Sequence, residues 1–158
     1  ELDLEFEKAK YVANRNEMKT YKKLEITAKR NFLKEFWAKR DTDPTTPRNE
    51  YRDDYLSRAK YADENFGSMK EGWKSDRGRV LLIYGLPDEV ERSPFTSSTK
   101  PYQFWRYFSV EGGVEFVFVD KRNFGNFELV HSTARGEIYD ADWMRWISDS
   151  AQSNIDAY

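Results

Sequence analysis

The sequence predicts an α+β chain, with helices first and an antiparallel sheet after them. Three observations carry this. Residues 2–40 contain neither Pro nor Gly and repeat apolar side chains at three- and four-residue spacing. A second such stretch lies between Pro47 and Gly67, and from residue 80 onward short apolar runs alternate with glycine-bearing turns.

In the first stretch Tyr21, Leu24, Ala28, Phe32 and Phe36 fall on one face, widened by Ile26, Leu33 and Trp37. The expectation is one long helix over 2–40 whose second half docks on the core. Its first half, anchored by Leu4, Tyr11, Val12 and Met18, reads as a solvated arm or a segment that needs a partner. Pro44 and Pro47 break the helix, and Thr46 as N-cap with Pro47 at the first helical position starts the next. Tyr51, Tyr55, Ala59, Ala62 and Phe66 then share a face, and Gly67 is the stop. Two antiparallel helices packed on the sheet are the expected arrangement.

Gly72-Trp73-Lys74-Ser75-Asp76-Arg77-Gly78-Arg79 follows as an ordered polar loop, in which Asp76 with Arg77 or Arg79 supplies charge-assisted hydrogen bonds. This keystone leads into a continuous apolar run, residues 80–84, read as a strand buried on both faces. Residues 88–92 read as a helical turn or a strand, and 93–101, rich in Ser, Thr and Pro, as an exposed loop. Residues 102–110 and 114–119 form a hairpin around Glu111-Gly112-Gly113, and 127–131 adds a further strand after the turn at 120–126. The sheet is therefore four-stranded and mostly antiparallel. Asp140 is placed to cap a short C-terminal helix carrying Trp143, Trp146 and Ile147, with a polar tail over 148–158.

Composition removes several functions. With 26 basic and 28 acidic residues the net charge is -2, so no global field draws nucleic acid. The absence of cysteine excludes disulfides, thiolate metal sites and thiol nucleophiles. No apolar run is long enough for a transmembrane segment. The chain starts at Glu1 without Met, as expected of a processed chain or a piece of a longer one, and a membrane tether through a missing N-terminus stays open. Aromatic residues reach 16%, with 5 Trp, 10 Tyr and 11 Phe, more than a thin helical protein needs.

Gly72-Trp73-Lys74-Ser75-Asp76 resembles the signature of the GWxTD domain family. Arg77-Gly78-Arg79-Val80 and Tyr84-Gly85-Leu86-Pro87-Asp88-Glu89 are similar to that signature's continuation, and Phe36-Trp37, Arg40-Asp41, Pro44, Thr46 and Asn49-Glu50 to the segment before it. Trp105-Arg106-Tyr107 and Phe116-Val117-Phe118-Val119-Asp120 resemble its hairpin region. Ser75 stands where the signature has Thr. The resemblance spans about residues 30–131, giving a helical extension over 1–30, the α+β domain over 31–131 and a C-terminal helical tail over 132–158. It implies an exported module of the Gram-negative envelope, periplasmic or outer-membrane-associated, with no accepted activity. A fainter similarity, Gly85, Pro87 and Val90 followed by Trp105 and Tyr107, is to small outer-membrane assembly lipoproteins.

Few residues read as chemical groups. An acid beside arginines has its ionised form favoured and is a poor general base, which makes Gly72, Trp73, Ser75, Asp76, Arg77 and Arg79 a structural keystone. Arg40, Asp41, Asp43 and Glu50 crowd one turn, yet lack the alternating acids and central Gly of a calcium loop, so no metal or other cofactor is expected. His131, the lone histidine, has no nucleophile elbow to serve. Arg106, Lys121 and Arg122 interleaved with Phe104, Trp105, Phe124 and Phe127 read as core and solvated rim rather than a nucleic-acid surface. The expectation is a non-enzymatic interaction module that meets protein partners through Trp37, Arg40, Trp143 and Trp146. The alternative is a small-ligand-binding or hydrolytic enzyme using Asp76 with Glu50 or His131 in a helix/sheet cleft.

Overall fold

The structure, a computed structural model, describes residues 1–93 and 98–148. Part of the loop expected at 93–101 and most of the expected 148–158 tail lie outside the described residues. Among those described the fold is α+β, with five α-helices and one four-stranded sheet. Contacts divide the chain into two compact units, residues 1–61 and 62–158.

The N-terminal unit corrects the expected single helix. The chain folds back twice, giving α1 (Leu2–Ala9), α2 (Arg15–Tyr21) and α3 (Ile26–Ala38). Asn14 is the reason for the first break. Its Oδ1 accepts the Glu17 amide at 2.8 Å while the Glu17 carboxylate accepts the Asn14 amide at 2.9 Å, a reciprocal cap that starts α2 afresh. Folding back buries aromatic area that a straight helix leaves in water. Phe6 stacks on Tyr21 at 4.0 Å and meets Phe32 and Phe36 edge-on at 5.7 and 5.8 Å. The first helix is thus held by Phe6 and Ala9, not by Leu4, which stays exposed.

Arg40 ties this unit together. Its guanidinium donates to the Phe36 carbonyl at 2.9 Å, to the Val12 carbonyl at 3.0 Å and to Glu17 at 2.8 Å, and lies 3.7 Å from the centre of the Phe36 ring. α4 (Glu50–Phe66) starts later than Thr46 and Pro47 foretold, because Asn49 is the cap. Its Oδ1 accepts the Arg52 amide at 2.9 Å and its Nδ2 donates to the Trp37 carbonyl at 2.7 Å. Tyr55 and Ala59 on the predicted face are buried, and the Tyr55 hydroxyl donates to the Lys8 carbonyl.

The C-terminal unit holds the largest departure. Residues 80–84, expected as a strand, form the second half of α5 (Asp76–Tyr84). A short apolar run does not distinguish strand from buried helix, and the decision falls to Ser75, whose Oγ accepts the Gly78 amide at 3.0 Å and caps the helix. The first strand is instead β1 (Glu89–Ser93), followed by β2 (Tyr102–Tyr107), β3 (Val114–Val119) and β4 (Glu128–Ser132) in the order β1-β2-β3-β4, every pair antiparallel.

Both sheet faces are used. The register puts Trp105 opposite Phe116 and Gln103 opposite Phe118 on one face. There Phe116 lies 4.8 Å from the Tyr84 ring of α5, and Trp105 lies 4.9 Å from Phe118 and 5.7 Å from Phe66. On the other face Val117, Val119 and Val130 receive Tyr102, Phe104, Trp143, Trp146 and Ile147. The expected C-terminal helix is only a 3-10 turn, Trp143–Trp146, because Asp140 accepts the Asp142 amide at 3.0 Å and the Arg145 guanidinium instead of capping a helix.

Arg40→Ala is expected to destabilise the chain by about 2–3 kcal/mol in urea unfolding, since it strands Glu17 and two carbonyls in a partly buried place. For Glu17, burial alone pushes the pKa up from 4.5, but the Arg40 and Asn14 hydrogen bonds outweigh it and the net shift is downward. A lowered folded pKa stabilises above the unfolded glutamate value and loses that contribution as pH falls through the folded one. The gap between wild type and Arg40→Ala should therefore narrow below about pH 4.5 in acid titrations of stability.

Candidate functional site

The keystone segment is a clamp built on two close backbone approaches. Gly72 opens a 3-10 turn, Gly72–Lys74, with its Cα against the last turns of α4: a Cβ there would fall 1.7 Å from the Ala62 carbonyl oxygen. Gly78, in the first turn of α5, sits so close that its own Cβ would fall 2.0 Å from the Gly72 carbonyl oxygen. Only glycine fits either position. The Trp73 amide donates to Asp63 at 3.1 Å and the indole is buried. The Ser75 hydroxyl donates to the Gly72 carbonyl at 2.6 Å while its oxygen accepts the Gly78 amide.

The charged members act outward from this clamp, with partners other than those expected. The Asp76 Oδ2 accepts the Leu129 amide of edge strand β4 at 2.7 Å, while the Arg79 guanidinium is closed on a different carboxylate. Arg79 makes a bidentate pair with Glu137, at 2.9 and 2.7 Å, and the Tyr84 hydroxyl donates to the same carboxylate at 3.0 Å. The Arg79 hydrogen bond holds the Glu137 carboxyl below its usual range against the opposing effect of burial, while burial and Glu137 push the Tyr84 hydroxyl up to about 12. Arg77 is buried with its guanidinium between the Phe66 and Phe127 rings, at 4.4 and 4.3 Å. Leu129 and Glu137 carried no signal in the sequence, since nothing local marks a partner more than fifty residues away, and Asp63 lies ten residues before Trp73 with no motif to mark the pair.

The other candidates are likewise engaged. His131 Nδ1 accepts the Asp140 amide at 2.9 Å and the ring meets Tyr139 edge-on. Glu50 belongs to the N-terminal unit, where one carboxylate oxygen accepts the Thr46 hydroxyl and the other is buried with no hydrogen-bond partner among the described residues. No hydrogen bond joins Asp76 to His131 among the described residues. Asp41 and Asp43 cap turns, accepting the amides of Asp43 and Thr45 at 3.1 Å each, and no group of metal-binding side chains occurs among the described residues. Arg106 is ringed by Glu89, Glu91 and Glu115, Trp105 is buried on the opposite face, and Lys121 lies 3.9 Å from the centre of the Trp146 ring. Of the four interaction candidates, Trp37 is buried with its indole N–H on Glu5 at 2.8 Å, Arg40 is internal, and Trp143 and Trp146 lie half-buried on the sheet.

One cleft of about 460 Å³ opens in the N-terminal unit, which sequence patterning did not anticipate. Leu2, Leu33, Trp37 and Pro47 give it apolar surface. Arg30 and Lys34 of α3, Arg48 and Arg52 line it with positive charge, against Glu5 and Asp41.

Compared with known proteins, residues 4–150 match the model of the GWxTD domain. The chain belongs to the GWxTD domain family. The match extends past the 30–131 span of the motifs at both ends, so the whole sheet and all five helices, but for the first two residues of α1, lie within the GWxTD domain. No curated protein and no solved structure matches.

Each letter of the GWxTD signature now has a physical task. Gly72 permits the approach to α4, Trp73 fills the space beside it, Ser75 caps α5 through the hydroxyl it shares with Thr, and Asp76 holds β4. Gly72→Ala and Gly78→Ala should each cost more than about 3 kcal/mol, because the clashing atoms are backbone and cannot swing aside. Ser75→Ala, which removes only a cap, should cost about 1 kcal/mol. Chemical denaturation of the three variants checks that order.

Proposed function

We propose that this GWxTD domain is a non-enzymatic protein-interaction module of a bacterial envelope or secreted assembly, exported to the periplasm or outer membrane. The reading rests on how the signature is used. Its polar groups are spent on Leu129, Glu137, Gly72 and Gly78, so they serve folding, and a carboxylate or hydroxyl held this way is not free to move a proton. Meanwhile Met69, Leu86, Phe124 and Tyr139 are 70–86% exposed, apolar area that partner proteins would cover. The enzyme alternative has less support, because Asp76, Glu50 and His131 each keep a separate internal partner. The envelope setting follows what the family resemblance implies, and the protein nature of the partners is argued from the exposed apolar side chains.

Chemical cross-linking in native bacterial envelopes, with light scattering of the purified chain, tests the proposal. Discrete cross-linked species of defined mass are the expected result. Monomer alone in both measurements would remove the proposal's basis.

A further inference from the structure

We propose that the cleft of the N-terminal unit is a docking groove for an acidic peptide segment of a protein partner, one that sets an apolar side chain between Asp or Glu residues. The inference rests on the interaction reading above and names the surface and the chemistry it would use.

The cleft separates its two properties. Its apolar surface comes from Leu33 and the Trp37 indole, both buried in the body of the unit, with Leu2 and Pro47 beside them. Its charge comes from exposed Arg30 and Lys34, one helical turn apart on α3, and from Arg48 and Arg52. Arg30 and Lys34 have no ion-pair or hydrogen-bond partner among the described residues, although like charges at this spacing disfavour their own helix. An anion between them would relieve that cost.

Arg52 is the better-defined element. Its Nε donates to Glu5 Oε1 at 3.0 Å, and the same oxygen takes the Trp37 indole N–H at 2.8 Å. Glu5 thereby fixes the guanidinium while the terminal N–H groups of Arg52 keep no partner among the described residues. A guanidinium anchored through Nε presents those N–H groups to an incoming carboxylate. Arg48 is already closed on Asp53 at 2.8 Å and contributes mainly field.

The balance of charge selects the occupant. Four cations face two acids in this cleft, on a chain whose overall charge is -2, so a basic segment is repelled locally and an acidic one attracted. A volume of about 460 Å³ takes one or two side chains, which suits a short peptide better than a folded surface.

The test titrates the ¹⁵N-labelled full chain with the acetylated peptide Glu-Glu-Leu-Trp-Glu-Glu and with its all-lysine counterpart, following amide shifts. The acidic peptide should move resonances of residues 30–38 and 48–52, with affinity falling as salt is raised from about 50 to about 500 mM. Arg30→Glu/Lys34→Glu should weaken binding at least about tenfold. Arg122→Glu, an exposed charge elsewhere, should leave it unchanged, and circular dichroism should report both variants folded. No shift at millimolar acidic peptide, equal shifts with the lysine peptide, or unchanged affinity in the double variant would each overturn the proposal. So would sedimentation with phosphatidylglycerol vesicles by a chain that ignores the peptide, since that assigns the charge to a membrane. If cross-linked partners persist in the double variant, the module reading stands and this groove is not its contact; monomer alone removes both.

Discussion

The C-terminal unit depends on one backbone crossing that leaves no room for a side chain. With Gly72 against the Ala62 carbonyl and Gly78 against the Gly72 carbonyl, three successive pieces of main chain lie at van der Waals contact: the end of α4, the 3-10 turn and the first turn of α5. Ser75, Asp76 and Arg79 extend from that crossing to other parts of the unit. Ser75 bonds both sides of it, Asp76 is delivered to the Leu129 amide, and Arg79 reaches Glu137. β4 is an edge strand, and edge strands invite unwanted pairing. The Asp76 carboxylate occupies one of its amides and the Ile138 carbonyl another, at Ser132, so a clamp between helices also guards the sheet.

The N-terminal unit solves a similar problem with different means. Here no glycine crossing exists, and Arg40 supplies the connection by bonding Val12, Glu17 and Phe36 at once. Removing one partner from such a group costs more than the group contributes when intact, because the remainder is left poorly solvated. Both units therefore use guanidinium groups as fasteners between segments far apart in sequence, Arg40 to Glu17 and Arg79 to Glu137.

How much was legible follows from how local each cause is. The meander was readable because alternation and the Glu111-Gly112-Gly113 turn lie within a few residues, and α4 because its apolar face repeats at helical spacing. The 80–84 run was misread because an apolar run of that length fits a buried strand and a buried helix equally, and the cap that decides lies upstream at Ser75. The breaks between α1, α2 and α3 were missed because no Pro or Gly marks them; the profit comes from Phe6 meeting Tyr21, which a linear pattern does not register. In the keystone, the need for order was readable from an acid among arginines, but the partners Leu129 and Glu137 were not, since pairing across the chain leaves no spacing to detect.

The high aromatic content, more than a thin helical protein needs, is largely consumed within the fold. Phe6, Tyr21, Phe36 and Trp37 fill one unit, Trp105, Tyr107, Phe116 and Phe118 the other, and Trp143 with Trp146 close the second sheet face. A high aromatic count in a chain of 158 residues thus reflects two small cores, each needing large side chains to bury enough area, rather than a surplus held for partners. The case for docking shifts from aromatic rings to charge. Arg30 and Lys34 sit together beside an apolar hollow and, unlike Arg40 and Arg79, have no ion-pair partner among the described residues. The acidic segment proposed for this cleft is the partner that would relieve the like-charge spacing of Arg30 and Lys34.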